Sequence, residues 1–168
     1  MLRKLILSGF VFCLIFVLSG CGDSSRPKDL PDLQPCTLTI TQDNQGLADA
    51  FVMFYTVDPN STKWVIAGNT DANGKVVPKT HGKFSGVPVG EYKIVVTKTE
   101  QVEVGAVQQT SGDTTNTPPQ KVDIYYLIDK MYTDVLTTPL TITIKNGKNV
   151  QTFDVGKPVR EKSKIIVL

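Results

Sequence analysis

An all-β fold is predicted by three features of this chain. Apolar and polar residues alternate with a period of two through several short runs, clusters of Gly, Asn, Asp and Pro separate those runs, and no window of ordinary helical length carries a 3.6-residue period. Less the first 20, the 148 that remain of the 168 residues suit one domain with its own core. About seven to eight short strands with this turn spacing predict a β-sandwich.

Ahead of the first strand the chain carries Arg3 and Lys4, runs apolar from Leu5 to Leu18 with only Ser8 and Gly9 interrupting, and reaches Leu18-Ser19-Gly20-Cys21. A charged start, a short apolar run and small residues at its end make a signal peptide, and the run is shorter than the roughly 20 apolar residues of a spanning helix. Ser19 and Gly20 let the chain lie extended in a peptidase groove, so Leu18, Ser19 and Gly20 are the expected signal-peptidase recognition residues. Leu-Ser-Gly-Cys matches the bacterial lipobox, which makes Cys21 the expected lipidation site once residues 1–20 are removed. Two acyl chains there exceed the single chain that holds a protein only marginally. The expected localisation is therefore the cell envelope, lipid-anchored, with Gly22 rather than an aspartate after the cysteine favouring the outer membrane. Residues 21–36, which include Pro27, Pro31 and Pro35, read as a flexible tether.

The domain is expected over residues 37–158. Leu38 and Ile40 alternate with Thr37, Thr39 and Thr41 as in a half-buried strand, and Asp43-Asn44-Gln45-Gly46 is a turn. An aromatic and β-branched run from Ala50 to Val57 ends at Asp58-Pro59-Asn60, and Lys63 to Thr70 follows as a strand with Trp64 and Ile66 on its core face. Asp71-Ala72-Asn73-Gly74 reads as a hairpin turn into Lys75-Val76-Val77. After the Val87-Pro88-Val89-Gly90 turn, Glu91 to Thr99 is the clearest strand, with Tyr92, Ile94 and Val96 on one face and Glu91, Lys93 and Thr97 on the other beside Val95. Residues 100–121 lose the pattern and are expected to be a flexible insert. Val122 to Ile128 is regular again, with room for a helical turn or two between Asp123 and Tyr132. Leu140, Ile142 and Ile144 then alternate with threonines, and Asn146-Gly147 reads as a hairpin turn to a return strand from Val150 to Val155. Residues 159–168 are expected to be a tail or an edge strand.

Three segments of this pattern occur in a familiar order: Gly46-Leu47-Ala48-Asp49-Ala50, Asn69-Thr70-Asp71-Ala72-Asn73-Gly74-Lys75, and Pro88-Val89-Gly90-Glu91-Tyr92. Together they resemble the carboxypeptidase-regulatory-like, or transthyretin-like, β-sandwich modules of exported bacterial proteins. The resemblance covers roughly residues 37–99, and the stretch from Tyr132 to Val155 looks like the closing part of small lipoproteins that carry such a module alone. It implies a fold, not a function. Asp49, where the family has a small or neutral residue, and the insert 100–121 depart from the pattern.

Charge and residue inventory remove several classes of function. The 18 basic residues include Arg3 and Lys4 of the leader, so 16 basic residues face 16 acidic ones in the processed chain. No nucleic-acid partner is expected from such a balance. Cys13 leaves with the leader and Cys21 is expected to be acylated, so Cys36 lacks a disulfide partner in the chain and reads as a small buried hydrophobe. His81, the one histidine, lies in Thr80-His81-Gly82-Lys83 with no metal-spaced Asp, Glu or Cys beside it. That is too little for the histidine-dependent hydrolases and iron dioxygenases of related shape, and no Gly-x-Ser-x-Gly elbow is present. The two Asp-containing turns lack the spaced ligands and closing glutamate of a calcium loop. No catalytic residue, metal or cofactor is expected. The expected function is a non-enzymatic, lipid-anchored envelope module with a structural or protein-interaction role, its partners being the membrane through the acyl chains and an envelope protein or glycan. Tyr125 and Tyr126 would point to opposite faces of a strand, and Tyr126 and Tyr132 are the candidate contacts for a glycan or partner.

Overall fold

The computed structural model describes residues 26–58, 63–104 and 122–163. The chain divides into two units, Met1–Leu30 and Pro31–Leu168. Of the first, only residues 26–30 are described, a turn in which the Leu30 amide donates to the Pro27 carbonyl at 3.1 Å. Leu18, Ser19, Gly20 and Cys21 lie outside the described residues.

The second unit is all-β. Its strands are β1 (Leu33–Gln34), β2 (Cys36–Gln42), β3 (Gln45–Gly46), β4 (Phe51–Thr56), β5 (Ile66–Asn69), β6 (Lys75–Val76), β7 (Lys79–Thr80), β8 (Phe84–Ser85), β9 (Val87–Pro88), β10 (Gly90–Thr97), β11 (Thr99–Glu103), β12 (Val122–Tyr126), β13 (Thr141–Ile144), β14 (Asn149–Asp154) and β15 (Glu161–Lys162). Eight of these, β2, β4, β5, β10, β11, β12, β13 and β14, are four residues or longer. The remainder are two-residue ladders that stitch loops to the sheets.

Two sheets make the sandwich. One runs β13-β10-β4-β5-β7-β8, antiparallel throughout, and the other has β2 at its centre, with β14 parallel on one side and β3 and β6 on the other. The period-two pattern of each long strand becomes the core: Cys36, Leu38 and Ile40 from β2 meet Val52 and Phe54 from β4, Tyr92, Ile94 and Val96 from β10, and Phe153 from β14. Ile94 and Val96 stand opposite Phe54 and Val52 in the ladder, and the Phe54 and Tyr92 rings meet edge to face at 5.9 Å. Tyr92 keeps its buried hydroxyl satisfied by donating to the Pro88 carbonyl at 3.0 Å, and burial pushes its pKa up to about 12. Val95 is buried on the opposite face, between the half-buried Lys93 and Thr97.

The loops show which turns close hairpins and which change sheets. Between β2 and β3, Asp43 and Asn44 both take positive φ, 51° and 62°, the signature of a two-residue type I′ hairpin. The two expected hairpins are corrected. Asp71-Ala72-Asn73-Gly74 does close on itself, with the Asp71 amide donating to Lys75 O at 2.8 Å and Asp71 Oδ1 accepting from the Asn73 and Lys75 amides at 2.9 Å each. Yet β5 pairs with β4 and β7 while β6 pairs with β2, so this turn carries the chain from one sheet to the other. Asn146-Gly147 does the same: β13 pairs with β10, and β14 lies parallel to β2. Positive φ occurs at Gly147 alone, so a type I′ turn does not form. The Asn149 side chain closes the loop instead, accepting from the Lys145 amide at 3.0 Å and donating to Lys145 O and Gly147 O at 2.9 Å.

Two boundaries also move. Leu33 and Gln34 pair with Pro88 and Val87, so the end of the expected tether is stitched into the domain. Thr99–Glu103 is strand β11 rather than the start of an insert, and it pairs along its length with β12. It escapes a periodicity reading because the β11-β12-β15 sheet leaves most of β11 exposed, so no buried face imposes alternation. The rest of the insert, residues 105–121, lies outside the described residues. The edge strand expected near the C-terminus is Glu161–Lys162, pairing with Tyr126 and Tyr125.

Candidate functional site

Strand β12 ends at Tyr126, and the chain then crosses to a single 3-10 turn, Lys130–Tyr132, before reaching β13. Asp129 starts that turn, its Oδ1 accepting from the Met131 amide at 2.9 Å. Asp134 organises the next one: its Oδ1 accepts from the Leu136 amide at 2.7 Å and its carbonyl from the Thr138 amide at 2.9 Å. Two side chains reach across to hold the segment on β10. Lys93 Nζ donates to Val135 O at 2.9 Å, and the buried Thr138 hydroxyl donates to Ile94 O at 2.7 Å.

Between this segment and the β12–β15 ladder lies an open groove of about 600 Å³, lined by Tyr126, Lys130, Met131, Thr133, Asp134, Thr137 and Ser163. Its volume falls in the range of small-molecule sites, about 300–1,000 Å³. Lys130 Nζ sits 3.0 Å from Glu161 Oε1 and 5.8 Å from the Tyr126 ring centroid, bracing the ring from one side.

The structure places the two tyrosines named from sequence differently. Tyr126 is half-buried and forms a wall of the groove. Tyr132 packs against the core and does not line it; its position anchors the neighbouring Met131 and Thr133, which do. Tyr125, on the opposite face of β12, is half-buried beneath Arg160, whose guanidinium carbon lies 3.9 Å from the ring centroid and whose Nε reaches Glu100 Oε2 at 3.1 Å. Both faces of β12 thus carry a cation over a tyrosine. Thr133 and Asp134 belong to the Tyr132–Val155 stretch of the resemblance, but neither they nor Thr137 are named as contact residues by the sequence.

The remaining candidates resolve simply. His81 is exposed at the tip of the β7–β8 turn with φ 56°, its amide donating to Val65 O at 2.7 Å. Trp64, expected in the core, is half-buried instead: β5 begins only at Ile66, and the indole meets the His81 ring edge to face at 5.6 Å. Cys36 is free and buried at 2% exposure, and desolvation pushes its thiol up to about 11. Among the described residues no group of three or more His, Cys, Asp and Glu could hold a metal ion.

Compared with known proteins, the chain matches no family model, no curated protein and no solved structure.

Proposed function

We propose that this chain is a lipid-anchored, non-enzymatic β-sandwich of the cell envelope, fixed to the membrane through Cys21 and acting as a structural or protein-interaction module. The observation that carries this reading is Leu18-Ser19-Gly20-Cys21 at the end of the apolar run. The chemistry of Cys36 supports it, since a buried thiol with a raised pKa leaves Cys21 as the cysteine suited to modification beyond the leader. The transthyretin-like resemblance is supported by its motif residues, because Asp71 accepts the amides of its own turn and Tyr92 is buried beside Pro88.

The test is mass spectrometry of the N-terminal peptide from cells expressing the full chain. A diacylglyceryl group on Cys21, lost in Cys21→Ser with accumulation of the uncleaved form, is the expected result. Wild-type protein that stays in the aqueous phase on detergent partition, with an unmodified Cys21, would sink the reading. Pull-downs from solubilised envelope with Cys21 intact and with Cys21→Ser would separate partners that need the membrane from those that do not.

A glycan-binding role is the second reading. It is favoured by one observation, that Tyr126 stands beside hydroxyl and carboxylate side chains in a groove large enough for a ligand.

A further inference from the structure

Hydrogen-bond polarity in the Tyr126 groove says what kind of ligand it suits. Thr133 Oγ1 donates its proton to Lys130 O at 2.9 Å, and Thr137 Oγ1 donates its proton to Met131 O, also at 2.9 Å. Each hydroxyl has one proton, so with that proton committed to the backbone both present only lone pairs to the groove. Asp134 uses Oδ1 on the Leu136 amide and leaves Oδ2 without a partner among the described residues. These three side chains therefore offer acceptors to the groove, beside the hydroxyls of Tyr126 and Ser163, which can donate as well as accept. Its one cation among the described residues, Lys130, is engaged with Glu161 and the Tyr126 ring.

An anion entering here would meet the Asp134 carboxylate and, among the described residues, a single cation already paired with Glu161. A lysine-bearing peptide would satisfy one acceptor with a single concentrated charge. A ligand whose many hydroxyl donors are spread along its length would satisfy several at once, and the apolar face of such a ligand fits the Tyr126 ring. Resting on the glycan reading, we infer that the groove beside Tyr126 binds neutral, hydroxyl-rich oligosaccharides, with Tyr126 as the stacking wall and Thr133, Thr137 and Asp134 as acceptors.

The test is calorimetric titration of the full chain, solubilised in a polyoxyethylene detergent, with neutral trisaccharides (maltotriose, cellotriose, mannotriose), with trigalacturonate and with trilysine. Binding of at least one neutral trisaccharide is expected, weakened about tenfold or more by Tyr126→Ala. Because Tyr126 is half-buried, a second variant guards against misfolding: Thr137→Arg, at an exposed position, fills the groove and should abolish the same binding while leaving the circular dichroism spectrum unchanged. Preference for trigalacturonate would overturn the inference and leave the glycan reading standing. Neutral binding unaffected by both variants would likewise overturn the inference alone. Preference for trilysine, or silence from every probe with folded protein, would remove both.

Discussion

Gly46 and Gly74 come from two separate motifs in the sequence, yet the fold presses them together, and alanine substitutions can separate the two physical reasons for glycine. At Gly74 φ is +75°, and an added Cβ would stand 2.2 Å from Ile40 O, 2.7 Å from Leu47 N and 2.9 Å from Gly46 Cα. At Gly46 φ is unexceptional, but a Cβ would meet Asn73 O at 2.3 Å. At Gly82 the reverse holds: φ is +69° and nothing lies within 4 Å. Gly82→Ala therefore carries only the left-handed backbone cost, about 1 kcal/mol. Gly74→Ala adds a clash with backbone that can move only by disturbing two hydrogen bonds, Ile40 N to Gly74 O at 2.8 Å and Leu47 N to Ile40 O at 2.9 Å. At about 1 kcal/mol net for each bond, the sum is about 3 kcal/mol or more. Gly46→Ala, clash without strain, should fall between. In urea, followed through the lone Trp64, a slope near about 2 kcal/mol per molar converts these costs to midpoint losses of about 0.5 M for Gly82→Ala and about 1.5 M for Gly74→Ala. Equal losses at Gly74 and Gly82, or a Gly46→Ala protein as stable as wild type, would refute the close backbone contact.

Other perturbations test other parts of the molecule. Thr70 is buried, its hydroxyl accepting from the Ala50 amide at 2.8 Å and donating to Leu47 O at 2.6 Å; Thr70→Val orphans both partners and should cost about 2–4 kcal/mol in denaturant melts, whereas a loss below about 1 kcal/mol would mean that water replaces the hydroxyl. Hydrogen bonds hold two carboxyls below the usual carboxylate range, Asp71 chiefly through the Lys75 and Asn73 amides and Asp154 chiefly through the Thr41 hydroxyl and Gly156 amide. Since their folded pKa values lie below the unfolded value of about 3.9, the stabilisation is complete well above that pH and is lost as pH falls through the depressed values. Urea midpoints measured from pH 7 down to pH 3 should therefore fall less steeply in Asp71→Asn and Asp154→Asn, and an unchanged slope would assign acid sensitivity elsewhere. For Cys36, a pKa of about 11 leaves roughly one thiol in a thousand ionised at pH 8. In a Cys13→Ser, Cys21→Ser chain, Ellman's reagent should label Cys36 only as fast as the domain opens, and rapid labelling of the native state would contradict its burial.

How far the fold can be read from sequence depends on what each residue reports. Leu38, Ile40, Tyr92, Ile94 and Val96 report burial, and all five are core residues of the strands in which alternation places them. Asp71-Asn73-Gly74 and Asn146-Gly147 report a local change of direction, and the chain turns at both. Neither kind of signal reports the partner. A closed turn has the same residues whether the next strand folds back on the last or crosses to the facing sheet, so both crossings read as hairpins. The decisive pairings, Asn149 to Asp154 beside Cys36 to Thr41, join residues more than a hundred positions apart. They follow from which faces need covering, a property of the whole chain rather than of any window. β11 shows the converse limit: a strand exposed along most of its length has backbone pairing without a hydrophobic pattern, and periodicity passes over it.

The same distinction explains why half of the candidate site was legible. Alternation within β12 requires Tyr125 and Tyr126 to face opposite ways, and that local rule says that one of the pair is turned outward without saying which. Beyond the strand the rule lapses. Whether Tyr132 faces solvent or core depends on how the 3-10 turn sits on β10, and that is set by Lys93 reaching Val135 and Thr138 reaching Ile94, contacts spanning 42 and 44 residues. The acceptor role of the groove's threonines lies further still from the sequence. Thr133 and Thr137 are ordinary turn threonines until the fold sets their hydroxyls within donating distance of the carbonyls of Lys130 and Met131. A threonine's contribution to recognition is decided by where its single proton goes, and that is a consequence of the turn's geometry rather than of its composition.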